Sequence, residues 1–398
     1  MAELNKQKLY LFIIWEKSRH KTSEILDDLK NNFIIRDVFE IDWGKENFRK
    51  NLYRFYGLID VEEKILRNGN GPFLVVFISD PNPKINNKII SGKNTLVNIK
   101  ILEAKIKCRE LIGEEFSIHG SITDEESNHN VTLLFGKNIK DFEYNISEKW
   151  NGSIKKIQRE IVGSEKWDSL NQIFYVLNNT TNYVIYRNYD DITDNKNYEN
   201  RDIDILADDE KLAYILDSSY FEQVLPSHFH KIKVNDKNIL FDLTYTGGRY
   251  FDDKWCQDIL KKRILHENKY FVPSIEDSFF TLLYHMIYHE NRFTKKYQNE
   301  LKIFSNKLNN QYIKETNFHN FNECKKIIDE YMKKMSYENT KSYKNKISSN
   351  EFRRIIRLCI IIIKTKGIVF LLKAIKNKIL GKGEKTKIEM DDYNFKNN

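Results

Sequence analysis

The chain has 398 residues, 40% hydrophobic and 13% aromatic against 31% charged, which excludes both a single small module and a disordered protein. Only 5 Pro and 15 Gly exclude a collagen-like or linker-dominated chain. The formal net charge of +8 is modest for this length, and much of the excess falls after residue 350.

In chain order, Tyr10 to Trp15 (YLFIIW) is a short, fully apolar run and predicts a buried strand. The polar EKSRHK and the amphipathic TSEILDDLKNNF predict a loop and then a helix. The pattern repeats with IIRDVFEIDW as a strand, GKENFRKNLYRFYG as a helix closed by Gly57, and GPFLVVFISD as a further buried strand ending in the turn DPNPK. LVNIKI, a helix in EAKIKCRELIG, and FSIHG follow, and Thr123 and Glu126 have the spacing of a capping box that starts the next helix. Alternation of this kind predicts a three-layer α/β domain around a parallel sheet, ending near residue 160.

From 161 to 300 the order changes. A helix (SEKWDSLNQIFYVLNN), a strand (NYVIYR), a long polar loop, a strand (DIDILA), a helix, and strands at 231–235 and 239–245 joined by the turn NDKN predict a mixed sheet with helices. The remainder after 245 is expected to be helical, with Pro273 and Ser274 opening FVPSIEDSFFTLLYHMIYHE. Residues 301–398 are expected to be helical, closing in a basic helix over about 349–380. The class is therefore α/β followed by α+β.

Cys108, Cys256, Cys324 and Cys359 lie far apart and form no C-x-x-C pair, so neither a zinc knuckle nor a disulfide framework is expected, and a reducing cytoplasm suits them. The apolar run from Leu9 to Trp15 is too short for a signal peptide and lacks a small-residue cleavage site.

The sharpest chemical feature is Arg201-Asp202-Ile203-Asp204-Ile205-Leu206. On a strand, Asp202 and Asp204 stand two residues apart and point to one face. Carboxylates held that close repel unless a divalent cation neutralises them, and all-oxygen ligands suit Mg²⁺ or Mn²⁺. Asp242, in the apolar run Ile239 to Leu243, is an acid that needs a reason to be there. The bland alternative is that Asp202 pairs with Arg201 and that D-x-D recurs by chance.

With Asp242 following D-x-D, the sequence resembles the nucleotidyltransferase superfamily related to DNA polymerase β. The resemblance is closer to a divergent group often found among bacterial surface-glycan genes. The residues that carry the resemblance are Tyr183 to Asp191, Asp202 to Leu206, Phe241 to Gly247 and Pro273 to His285, within residues 165 to 300. The resemblance implies that Asp202, Asp204 and Asp242 hold metal, with Asp242 also orienting or deprotonating an attacking hydroxyl. It implies a nucleotide-activated donor and a glycan or lipid-linked glycan acceptor. The superfamily's Gly-Ser pair is replaced here by Tyr186-Arg187-Asn188, which makes Arg187, with Asn188 beside it, the expected phosphate grip. The other functions considered are an RNA-modifying toxin or phage-defence nucleotidyltransferase and a non-catalytic binding module.

If the first sheet is parallel, three segments converge at its carboxyl end: Lys17 to Lys21, Asp80 to Lys84 and His119 to Ser121. Arg19, His20, Lys21, His119 and Ser121 would then form a second phosphate site, the alternative being a solvated loop with a cap. His119 and His129, with Asn128, could supply a general base. His285 and His289 have the spacing of a zinc pair, but packed helix histidines explain them better. Residues 352–382 carry nine Lys or Arg and no acid around an apolar face. Docking on the protein, peripheral contact with the inner face of an anionic membrane, and nucleic-acid binding all remain open for this segment, nucleic acid being the least favoured.

Overall fold

The computed structural model describes residues 8–57, 60–90, 92–114, 117–189, 192, 202–217, 228–290 and 294–340, with scattered positions from 356 to 375. Strand β1 (Leu9–Ile14) leads through a 3₁₀ turn at Glu16–Lys21 into helix α1 (Thr22–Asn32) and strand β2 (Ile34–Asp42). Helices α2 (Lys45–Tyr56) and α3 (Val61–Asn68) follow, then β3 (Phe73–Ser79) and a two-stranded hairpin of β4 (Ile85–Ile90) and β5 (Lys93–Asn98). Next come α4 (Ile99–Ile112), β6 (Ile118–Gly120), α5 (Asp124–Phe135), α6 (Ile139–Glu143) and β7 (Lys155–Gln158).

The first sheet has the order β6-β1-β3-β2-β7. It has the three layers expected, but it is not parallel. Strand β3 runs antiparallel to both β1 and β2, β6 runs antiparallel to β1, and only β2 and β7 are parallel. The cause is insertion: β1 and β2 do run in the same direction with α1 between them, and β3 enters the gap they leave. Helices on both faces account for the fully buried runs of β1 and β3. Tyr10, Phe12 and Ile14 pack with α1 and α4 on one side, while Leu9, Leu11 and Ile13 join the core of α2 and α5 on the other.

Two local expectations are refined. Asn98 ends β5 and caps α4, its side chain accepting from the Lys100 amide at 3.1 Å, so that helix starts four residues before EAKIKC. At α5, Thr123 accepts from the Glu126 amide at 3.0 Å as expected of a capping box, but Glu126 reaches back to the Ile122 amide at 2.8 Å.

Helix α7 (Leu170–Thr180), β8 (Tyr183–Arg187), β9 (Asp202–Ala207), α8 (Lys211–Leu216), β10 (Phe229–Val234) and β11 (Lys237–Tyr245) form the second unit. Its sheet has the order β10-β11-β9-β8. The expected β10–β11 hairpin is present, and β11 runs parallel to β9. Where everything after β11 was expected to be helical, helix α9 (Asp253–Lys261) agrees, but the chain then forms the hairpin of β12 (Ile264–His266) and β13 (Tyr270–Val272) before the next helix. Helix α10 (Ile275–Tyr284) is capped by Ser274 as expected and runs into a π-helical turn at His285–Glu290. Helices α11 (Lys295–Lys307), α12 (Gln311–Glu315) and α13 (Phe321–Met335) complete the described elements.

One face of the second sheet (Tyr183, Ile185, Ile203, Ile205, Phe241, Leu243) belongs to the same apolar core as Leu11, Trp43, Phe73 and Phe135 of the first. Helices α2, α5, α7 and α8 fill the space between them. The other face packs on α9, α10, α11 and α13 through Phe251, Trp255, Phe279 and Tyr284. The expected basic helix lies almost wholly outside the described residues. Among the described residues no helix is long and apolar enough to cross a membrane.

Candidate metal centre

The second sheet fixes its carboxylates by register. Asp202 and Asp204 are the first and third residues of β9, so they share a face, opposite that of Ile203 and Ile205. In the parallel pairing, Leu240 stands beside Asp202 and Asp242 beside Asp204. The three carboxylates therefore converge, each offering an oxygen within 4.8 Å of the others. Asp204 is buried, and Asp202 and Asp242 are half-buried.

Arg187 reaches this face through an irregularity in the chain. Ile185 pairs with Ile205, but the register then shifts so that Arg187, not Tyr186, stands opposite Asp204. Without that bulge, Arg187 would face Ile203 and point into the shared core. The extra residue turns it onto the carboxylates, where its Nη2 donates to Asp204 Oδ1. Asn188 follows with φ of 56°, donates to Asp204 Oδ2 at 3.3 Å, and accepts from Lys296 Nζ at 2.6 Å. Arg187 Nε is buried without a hydrogen-bond partner.

Burial raises the Asp204 pKa to about 6, and the charges of Asp202 and Asp242 push the same way, while Arg187 opposes them. The pair with Arg187 thus offsets only part of the cost of holding this carboxylate out of water beside two others.

A second group of side chains borders the cluster. Tyr250 follows the turn after β11, and its hydroxyl meets His285 Nδ1 at 2.5 Å, while His285 Nε2 lies 3.1 Å from Glu290. His289 stacks on Tyr250 with ring centroids 3.9 Å apart and faces the Tyr250 carbonyl at 3.1 Å. The π-helical turn brings His285, His289 and Glu290 onto one side of α10, so both rings have protein partners where a zinc pair was weighed. Among the described residues, the carboxylate triad is the only group of three or more His, Cys, Asp or Glu side chains placed to share an ion. Burial raises the Tyr250 pKa, and the Asp204 and Asp242 charges add to this against Arg187. The aromatic and histidine positions after Gly248 were a signal for this group, but only the fold brings Tyr250 within the field of Asp204 and Asp242.

The residues expected to form a second phosphate site do not gather as a set. With β1 and β3 antiparallel, the segments that follow them leave from opposite ends of the sheet. Arg19 pairs with Glu40, His20 Nδ1 lies 2.8 Å from the Lys17 carbonyl, and Lys21 pairs with Glu24 at 2.9 Å. His119 and Ser121 are both held by Asn130, at 2.8 and 2.9 Å. Arg201 and most of the loop from Asn188 to Asn200 lie outside the described residues.

Comparison with protein-family models and with curated proteins finds no match for this chain.

Proposed function

We propose that the chain is a metal-dependent transferase of nucleotidyltransferase type that moves a nucleotidyl or phosphoryl-linked group onto a hydroxyl. The observation that supports this most is the meeting of Asp202, Asp204 and Asp242 on one sheet face, within 4.8 Å of one another. The donor set suits Mg²⁺ or Mn²⁺: all the ligand atoms are oxygens, from three carboxylates. A bound cation would neutralise phosphoryl charge and acidify an attacking hydroxyl.

The protein's own groups have separable tasks in this reading. Asp202 and Asp204 hold the cation, and Asp242 orients the acceptor hydroxyl and takes its proton. Arg187, released from Asp204 as the cation takes over that carboxylate, has its free Nε and fork geometry available for a phosphate. A nucleotide-activated donor and a surface-glycan precursor are the substrates the resemblance favours. A second reading has a specific observation behind it: the Arg187–Asp204 pair is also what a site that no longer takes metal would contain.

Mn²⁺ titration followed by electron paramagnetic resonance, with transfer from a panel of labelled nucleotides and nucleotide-linked polyols and sugars, tests this. Wild type should bind Mn²⁺. Asp202→Asn with Asp204→Asn should lose that binding and at least about 10²-fold in transfer, the scale of removing a preorganised electrostatic partner. Wild type that binds neither Mn²⁺ nor any donor would support the non-catalytic reading.

A further inference from the structure

The basic stretch near the end of the chain carries a surface that the carboxylate centre does not use. Its described positions are helical on both sides of Gly367: residues 356, 359, 360 and 363 before it, and 368, 369, 371, 372 and 375 after it. The Gly367 amide donates to the Ile363 carbonyl at 3.1 Å, closing the first run, and the Leu371 amide donates to the Gly367 carbonyl at 3.4 Å, opening the second. Gly367 has φ of 83°, which strains an L side chain, so glycine is the residue that permits this break.

Ile356, Ile360 and Ile363 stand at i, i+4 and i+7, and Ile368, Leu372 and Ile375 repeat that spacing after the break. Each trio therefore forms one stripe along its helix. In a helix docked on protein such a stripe is the buried face. Here its members are 42, 48 and 41% exposed in the first run and 58, 59 and 40% exposed in the second, with Val369 beside them at 72%. Cys359 and Leu371 lie on the same flank of their stripes and are the covered positions, half-buried and buried respectively. The stripes themselves face outward.

Charge identifies what they face. Residues 352–382 carry nine Lys or Arg and no acid. Exposed aliphatic side chains need an apolar phase, and one-signed charge beside them needs anions in the same plane. An anionic bilayer surface meets both needs, its acyl boundary taking the aliphatic groups and its lipid phosphates the cations. A second copy of this chain would bring the same positive charge against it. Nucleic acid would supply phosphates but no apolar phase, and the exposed side chains described in this segment are all aliphatic, with no ring on which a base could stack. We propose that these stripes lie on an anionic membrane surface, in its plane, with Ile360 and Leu372 at the acyl boundary. The contact is peripheral, since among the described residues no helix is long and apolar enough to cross a membrane. It does not depend on what the carboxylate centre does.

The test is co-sedimentation of the full chain with vesicles of phosphatidylcholine carrying about one third phosphatidylglycerol, against vesicles of phosphatidylcholine alone, in low and in high sodium chloride. Wild type should bind the anionic vesicles at least about tenfold more tightly than the neutral ones, and salt should weaken that binding. Ile360→Glu and Leu372→Glu should each weaken it at least about tenfold, while Tm without vesicles stays unchanged because both side chains already face water. Ile360→Leu should bind as wild type does. No binding of wild type to anionic vesicles would overturn the proposal. So would a fall of several degrees in Tm for both glutamate variants without vesicles, since the stripes would then be covered by the protein itself. Ile89→Glu, on the β4–β5 hairpin at a position 79% exposed, should bind as wild type does, and an equal loss there would assign the binding to exposed aliphatic groups at large. A short single-stranded RNA that displaces the vesicles and binds Ile360→Glu as tightly as wild type would replace the membrane with nucleic acid.

Discussion

The carboxylate cluster and the basic side chains near His119 gather like charges of opposite sign. In one, Asp202, Asp204 and Asp242 stand with Arg187, and in the other the charges of Lys105, Lys64 and Arg109 all bear on His119, with Glu126 beside it. The difference lies in what carries the charges. The aspartates are on adjacent strands and are rigid to within the sheet register, which suits an ion that demands fixed ligand positions. The cations sit on long, flexible side chains from two helices, Lys64 on α3 and Lys105 with Arg109 on α4, so their positions are held less firmly.

The largest effect that would break this parallel is expected at Arg187. Arg187→Met leaves Asp204 buried without its partner and should destabilise the metal-free protein by about 3–5 kcal/mol. Saturating Mn²⁺ should restore part of that loss. Chemical denaturation in EDTA and in Mn²⁺ measures both, and a loss below about 1 kcal/mol would mean the pair does not balance the cluster.

At the basic end the corresponding test is proton rejection. His129, on α5, is buried, and burial together with Lys211 lowers its pKa to about 3, although its Nδ1 faces the Thr180 carbonyl at 3.1 Å. An unfolded histidine takes up its proton near pH 6.5. A folded pKa below the unfolded value costs nothing above pH 6.5 and costs stability progressively as pH falls toward 3. By linkage the loss at pH 4.5 is about 3 kcal/mol. His129→Gln should therefore lose less stability than wild type between pH 7 and 4.5 in urea unfolding. Parallel losses in the two proteins would show that His129 is not held neutral.

The smallest effect is expected at the border of the carboxylates. Tyr250→Phe removes the hydroxyl that meets His285 and should cost about 1 kcal/mol, with a modest fall in transfer rate and little change in Mn²⁺ affinity. A large loss of Mn²⁺ binding would move Tyr250 into the ion's own set.

The D-x-D face and Asp242 were legible because strand periodicity alone decides which side chains share a face. The role of Arg187 was half legible: its charge beside the strand was evident, but the bulge that turns it from the core is a property of pairing. The first sheet misled because alternating helices and apolar strands fix layers and crossovers, not the strand that later enters between two others. The basic group near His119 was nearly silent. Lys64 on α3 and Lys105 and Arg109 on α4 each read as an ordinary helix charge until the fold brings all three to bear on His119.

The apolar core that runs from Leu11 and Phe73 to Phe174, Ile205 and Phe241 has a consequence for how the chain can be divided. Its two sheets are covered by the same helices, so a cut near residue 160 would leave each part with an aromatic face open to water. Neither part should survive as a separately folding piece, and limited proteolysis near that position should give two fragments that remain associated until denaturant separates them.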